Sequence, residues 1–542
     1  MADTIVSALS FLRENLHSMY KNDVEEAMIF RSKIIRDTVI LTVMQLFLDS
    51  AALLLNVFIT KNLGSSAIGI LSLMGSFLGL AGILSNGNAF LCTSRLVSEE
   101  LGKPGGDPNG VLAHGIKLCL LLSAAVSAAV VIFAEPVSLR FFSGAHMTAA
   151  LRKMPFALVT GAVSACLKGY FNATRWAAVS AAGDIAEFAA RCGYIVAVTL
   201  MTGDVTEDKV CGIMIGGVIT GNAVSLLLLG TVFIKTYRRS QGRCSLSFRR
   251  YAAFSFPIMG GSILTAVLSS TNDALIPICL RQYGDSAGKA LGEFGVFEGI
   301  VIPTLFFPSV VLCSVSGIIV SEAARARAAG NSERIRRMTE RLNACTLMFS
   351  VFAAAVLMRF GSVIGEQLGG GSLAGRMITV IAPVVPFIYM EIVLESLIKG
   401  LGLQSFSSVN YLAEYIIRIA AVLLLVPRIG FYGIVVSYYA SNIIGNCSRF
   451  IRIIKASGAK AALLRTVVLP VMLAFSTMSL SELIFRFMGL TDEKMLYSAM
   501  FVAVWGVFYC LIFSALGKVK LFSKSEAVLF SDNAQQTVSR VL

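Results

Sequence analysis

The sequence predicts an all-α integral membrane protein of about fourteen transmembrane helices, arranged as two six-helix bundles in a parallel internal repeat plus two C-terminal helices. Three observations predict it. Of the residues, 56% are hydrophobic and only 14% charged, against about 25% charged in a soluble domain. Apolar runs of about 20 residues, each enough to cross the roughly 30 Å hydrocarbon core, recur from residue 38 almost to residue 518. Finally, segments return at a common offset: Ala67-Ile68-Gly69 and Val97-Ser98-Glu99 reappear as Ala290-Leu291-Gly292 and Val320-Ser321-Glu322, and Asp49 falls on Asn272. Lys168-Gly169 is echoed by Lys399-Gly400, followed in each half by a glutamate and an arginine four residues after it. Duplication within a polytopic chain is a hallmark of transporters, whose halves rock around a shared midplane site, and it points away from an enzyme.

In chain order, residues 1–37 are too polar for the apolar core of a signal peptide, since Arg13, Glu14, Lys21, Asp23, Glu25 and Glu26 break every run. They are expected to form a cytoplasmic amphipathic segment. The first bundle is expected over 38–234, a basic cytoplasmic linker over 235–251, the second bundle over 252–453, two additional helices over 454–517, and a cytoplasmic tail over 518–542. The spans read as 38–60, 66–94, 111–134, 150–168, 177–201, 210–234, 252–280, 291–321, 342–360, 376–398, 408–427, 430–453, 466–486 and 496–517. Six spans per repeat is an even number, so both bundles enter from the same side and leave a cleft between them. Prolines at 257, 277, 303, 308, 383 and 386 mark places where helices of the second bundle bend. Gly369-Gly370-Gly371 reads as a flexible outer connector.

The net charge of +14 follows the topology. Inner segments carry Arg31, Lys33 and Arg36, then Lys235, Arg238, Arg239 and Arg243, then Arg325, Arg327, Arg334, Arg336 and Arg337, then Arg449, Arg452, Lys455, Lys460 and Arg465. The outer segment Thr202–Lys209 instead holds Asp204, Glu207 and Asp208. This obeys the positive-inside rule and suits anionic inner-leaflet lipids, not nucleic acid. Both termini are thereby placed in the cytoplasm.

An ionisable group at the bilayer centre costs about 2.5–3.5 kcal/mol on insertion scales, so each needs a partner, a wet cavity or a task. Glu187 and Arg191 lie roughly 15–20 Å into span 5 at 1.5 Å per residue, and Glu414 and Arg418 lie comparably deep in span 11. Either each glutamate and arginine neutralise one another along the helix, or the arginines face the cleft as bidentate grips on phosphate. Asp49, Glu298 and Glu391 are further deep carboxylates; each is either a hydrogen-bonded packing residue or an ion-coupling group. The eleven cysteines are scattered singly, and neither a metal-ligand pattern, a Walker A loop, a nucleophile elbow nor a dinucleotide fingerprint is found. No cofactor is expected.

Three stretches carry a family resemblance. Lys168-Gly169-Tyr170-Phe171-Asn172 runs through Ala178-Val179-Ser180 to Glu187 and Arg191, Asn272-Asp273-Ala274-Leu275-Ile276-Pro277 opens the second half, and Phe307-Pro308-Ser309 leads into Val320-Ser321-Glu322-Ala323. In these the chain resembles the multidrug/oligosaccharidyl-lipid/polysaccharide (MOP) exporter superfamily, in its branch of stage V sporulation protein B and the lipid II flippases. The resemblance implies a monomer of the bacterial plasma membrane that flips a polyprenyl-(pyro)phosphate-linked oligosaccharide or peptidoglycan precursor from inner to outer leaflet. Membrane potential or a gradient of H+ or Na+ would drive it. Residues 37–49 lack the arginines, and Gly295-Val296-Phe297-Glu298-Gly299 the aspartate-arginine pair, that lipid II flippases carry there, so another polyisoprenoid-linked glycan or a spore-envelope precursor fits as well. The alternatives are a proton- or sodium-coupled multidrug antiporter, which would favour a carboxylate-rich cleft, and a non-transporting membrane scaffold of an envelope-building complex.

Overall fold

A computed structural model describes residues 44–103, 106–141, 147–202, 207–236, 246–459, 467–487 and 495–518. The expected amphipathic segment 1–37 and all but the first residue of the tail 518–542 lie outside them. The described residues form helices and no strand. In order these are α1 (Met44–Leu63), α2 (Ser65–Asn86), α3 (Ala89–Leu101), α4 (Pro108–Ile132), α5 (Ala134–Phe141), α6 (Thr148–Ala173), α7 (Ala177–Thr202), α8 (Glu207–Thr236) and α9 (Phe248–Tyr283). There follow α10 (Ala287–Val296), α11 (Ile302–Phe306), α12 (Val310–Ala328), α13 (Ser332–Gln367), α14 (Gly371–Ile381), α15 (Val385–Gly400), α16 (Gln404–Ile429), α17 (Phe431–Ser457), α18 (Leu469–Phe487) and α19 (Met495–Lys518).

Twelve continuous helical stretches among the described residues are long and apolar enough to span a bilayer, and α17 and α19 stand where the twelfth and fourteenth spans were expected. Local chemistry sets the ends. The Asp107 carboxylate caps α4 ahead of Pro108, Ser247 caps α9, Ser286 caps α10 and Asn331 caps α13, each accepting from a first-turn amide. Span 8 is broken into α10, a π turn at Phe297–Val301, α11, a 3-10 turn at Phe307–Ser309 and α12; span 10 breaks at Ala382–Val384 between α14 and α15. Pro303, Pro308, Pro383 and Pro386 flank or occupy these irregular turns, because a proline removes an amide donor and crowds the preceding turn.

Helix neighbours repeat in the same order. The α7–α8 hairpin corresponds to α16–α17, α6 against α4 and α8 to α15 against α13 and α17, and α3 against α6 to α12 against α15. The two sets meet where α2 crosses α10. A Cβ on Gly69 would collide with the Leu291 carbonyl oxygen and one on Gly295 with the Gly69 amide nitrogen, so glycine lets the backbones touch. Ser66 Oγ donates to the Gly288 carbonyl across this crossing at 2.9 Å. The duplicated triplets Ala67-Ile68-Gly69 and Ala290-Leu291-Gly292 therefore pack against each other. Helix α9 reaches across: it packs on α16 and also on α2, α3 and α4. The added pair α18–α19 leans on α13 through Trp505, Phe501 and Phe352, with Arg359 held 3.4 Å from Glu482.

Candidate functional site

In the first set of helices a cavity of about 540 Å³ opens between α2, α6, α7 and α8. Its wall is apolar over Leu78, Phe90, Ala157, Leu158 and Val218, and polar over Lys168, Asn172, Asp184, Glu187, Arg191 and Asn222. Lys168 Nζ, at the end of α6, lies 2.6 Å from Asp184 Oδ1 and 2.8 Å from Glu187 Oε2. Arg191 Nη2 donates to Glu187 Oε1 at 2.8 Å one turn along α7, while Arg191 Nε is buried without a hydrogen-bond partner. Two cations and two carboxylates thus neutralise one another on one cavity wall. Gly221 of α8 supplies the room, since a Cβ there would lie 3.3 Å from Glu187 Cγ.

The equivalent place in the second set is built differently. Arg418 Nη2 is 3.6 Å from Glu414 Oε1, its Nε donates to Ser441 Oγ at 3.0 Å, and its guanidinium stacks on Tyr438 at 4.7 Å and Tyr415 at 5.5 Å. Gly445 makes room for Glu414 as Gly221 does for Glu187. The space beyond is filled by Arg449, whose side chain is 0% exposed. Its Nη2 lies 3.2 Å from Glu391 Oε1 and 3.0 Å from Glu414 Oε2, its Nε lies 3.7 Å from Glu395 Oε2, and its guanidinium lies over Tyr411. Neither Nη2 nor Nε has hydrogen-bonding alignment to those carboxylates, so the attraction is chiefly ionic. Lys399 completes the network 3.5 Å from Glu395, to which Ser407 also donates.

Of the residues singled out in the sequence, Glu187 and Arg191 line the first cavity, and Glu391, Glu414 and Arg418 gather around Arg449. Asp49 stands apart on α1 and accepts from Gln45 Nε2 at 2.8 Å. Glu298 sits in the π turn, next to Gly299, whose carbonyl accepts from Asn56 of α1 at 2.8 Å. Sequence reasoning placed Arg449 in a basic cytoplasmic segment; it is instead buried inside α17, because three glutamates from α15 and α16 compensate its charge. The polar positions Asn442, Asn446 and Arg449 recur at helical spacing within an apolar span, a signal that marks an inward face. Asp184, one turn before Glu187, and Asp273 were likewise missed. Asp273 of α9 accepts from Ser76 of α2 at 2.5 Å, and Ser270 donates to the Ser76 carbonyl at 3.0 Å.

No family model matches the chain. The helix arrangement is shared with solved transporter structures. It superposes on the lipid II flippase MurJ in an inward closed conformation with a TM-score of 0.62, covering 89% of this chain and 99% of that one at 13% identity. On an inward-facing MATE-family multidrug resistance transporter of the MOP superfamily the TM-score is 0.57, over 77% of this chain and 96% of that one at 14% identity. In sequence, 384 residues are 20% identical to stage V sporulation protein B of Bacillus subtilis (strain 168), spanning 69% of this chain and 74% of that protein. The fold implied by the sequence motifs is the fold observed.

Proposed function

We propose that this chain is a transporter of the bacterial plasma membrane that flips a polyprenyl-(pyro)phosphate-linked oligosaccharide or peptidoglycan precursor from the inner to the outer leaflet by alternating access of its halves, 38–234 and 252–453. The observation that carries this reading is the first cavity, where Arg191 and Lys168 stand beside an apolar wall. A pyrophosphate entering there takes over the donors now turned to Glu187 and Asp184, and the unpartnered Arg191 Nε offers a further one. Asn172 and Asn222 supply amide groups suited to sugar hydroxyls. The positive-inside orientation puts the α2–α10 crossing on the outer side, so the halves are sealed outward and the cavity sits in the inner part of the membrane, where such a cargo is made available. Arg418 and Glu414 serve as the second bundle's counterpart, and Asp49, Glu298 and Glu391 are the candidate ion-coupling groups. The likeness to the lipid II flippase MurJ and to stage V sporulation protein B supports this cargo class.

A second reading, a proton- or sodium-coupled multidrug antiporter, is favoured by Asp184 and Glu187, which give the same cavity two carboxylates for a cationic drug. Translocation of a labelled polyprenyl-pyrophosphate-linked sugar in proteoliposomes under an imposed potential separates the two. Transport by the intact protein that is lost in folded Arg191→Ala supports the flippase. Absence of that transport together with proton-driven efflux of a cationic dye supports the antiporter, and absence of both favours a membrane scaffold.

A further inference from the structure

On the opposite face of α17 from Arg449 a groove of about 570 Å³ is lined by Phe406 of α16 and by Ile443, Ile444, Cys447, Ser448, Ile451, Arg452 and Lys455 of α17. We propose that this groove binds one anionic phospholipid of the cytoplasmic leaflet, its phosphate held by Arg452 and Lys455 and an acyl chain laid along Ile444, Cys447 and Ile451. This inference does not depend on which cargo the transporter carries.

Three features argue for that occupant. The first is charge. Several other helix-borne cations spend their charge on a neighbouring carboxylate, Arg325 and Arg334 on Glu322, Arg336 and Arg337 on Glu333, Lys289 on Asp285, and Arg95 on Glu99. Among the described residues neither Arg452 nor Lys455 has a carboxylate within ion-pair distance. Arg452 only stacks near Phe406 at 5.7 Å, which steadies its guanidinium and leaves its donors for an outside anion. The second is length. From Ile443 to Lys455 the groove runs about 18 Å at 1.5 Å per residue, against roughly 15 Å for half of a 30 Å hydrocarbon core. One leaflet's acyl depth plus a headgroup fits that length, with the apolar residues deep and the basic ones at the end. The third is the setting. Ile444 and Ile451 are 51% and 53% exposed, open to the surrounding bilayer, and the basic end falls on the side that the positive-inside rule assigns to the anionic leaflet. The uncapped start of α16, at Leu403, adds the positive end of a helix dipole beside Phe406.

The test is native mass spectrometry of the full chain titrated with phosphatidylglycerol and, separately, with phosphatidylcholine, with polyprenyl phosphate as competitor. We expect tighter retention of phosphatidylglycerol than of phosphatidylcholine, and a loss of its affinity on the order of thirty-fold in the double variant Arg452→Gln/Lys455→Gln. Lys117→Gln, a basic change elsewhere on the same side, should leave that affinity unaltered. Both sites are exposed and outside the buried network, so folding is retained; a Ser448→Trp variant, which fills the groove without changing charge, should displace the lipid equally. Equal binding of the two lipids, unchanged affinity in both variants, or polyprenyl phosphate displacing phosphatidylglycerol at equimolar concentration would each overturn the assignment.

Discussion

At the scale of single residues, Arg449 decides what the second bundle can do. Removing it leaves Glu391, Glu395 and Glu414 facing one another with their main counter-charge gone, and deleting one partner of a buried ion network costs about 3–5 kcal/mol. We therefore expect Arg449→Ala to lower the thermal unfolding temperature in detergent markedly, far more than Arg452→Ala one turn on. The first bundle shows the uncharged alternative: Ser164 and Ser225 meet at 3.0 Å where the second bundle has Glu395 and Arg449. Arg449→Ser combined with Glu395→Ser should accordingly recover part of the stability lost in Arg449→Ala, and failure to recover any would show that Glu391 and Glu414 are what Arg449 chiefly serves. At this scale the sequence was legible where partners are local. Glu187 with Arg191 and Glu414 with Arg418 are one helical turn apart, and helical spacing alone brings them together. Arg449 was not legible, because its three partners lie on two other helices and a linear pattern carries no record of which helix faces which.

At the scale of elements, the crossing of α2 and α10 is the joint that glycine permits. The recurrence of Ala67-Ile68-Gly69 as Ala290-Leu291-Gly292 was visible as a repeat, and it is the contact between the two copies that the repeat could not announce. A duplication states that two segments share a shape; only packing puts one copy on the other. Gly69→Val forces its branched side chain into the Leu291 carbonyl, which no rotamer relieves because the obstacle is backbone. A cysteine pair at Ser66→Cys and Gly288→Cys, now joined by a hydrogen bond, should cross-link readily in an otherwise cysteine-free background and poorly once Gly69→Val is added. Undiminished cross-linking would mean that the helices slide rather than part. The irregular turns follow the same logic at lower visibility: prolines marked that spans 8 and 10 bend, but the π turn at Phe297–Val301, where Asn56 of α1 meets the Gly299 carbonyl, depends on a tertiary partner.

At the scale of the whole molecule, the alternating access proposed above would require the halves to separate somewhere while staying joined elsewhere, and α9 is where the proposal puts the separation. Away from the glycine crossing, the halves are tied by side-chain hydrogen bonds between α9 and the first bundle: Ser76 to Asp273 at 2.5 Å, Asn88 to Ser262 at 2.6 Å and Thr93 with Tyr251 at 2.8 Å. From Tyr251 through Ser262 to Asp273 these three run along α9 from its basic end past its middle, so an opening on the basic side would break them in sequence while the crossing of α2 and α10 holds. Side-chain hydrogen bonds between membrane helices average about 0.6 kcal/mol each, which makes the three together worth roughly 2 kcal/mol, or about thirty-fold in the ratio of closed to open states. A triple variant Ser76→Ala/Asn88→Ala/Tyr251→Phe should shift that ratio toward the open state by a factor of this order. It would be read as a second, longer peak in the spin-label distance distribution between α4 and α13, which lie in different halves and outside the tie. A distribution indistinguishable from that of the unaltered chain would place the moving joint elsewhere, since a tie that can be cut without consequence does not hold the halves together.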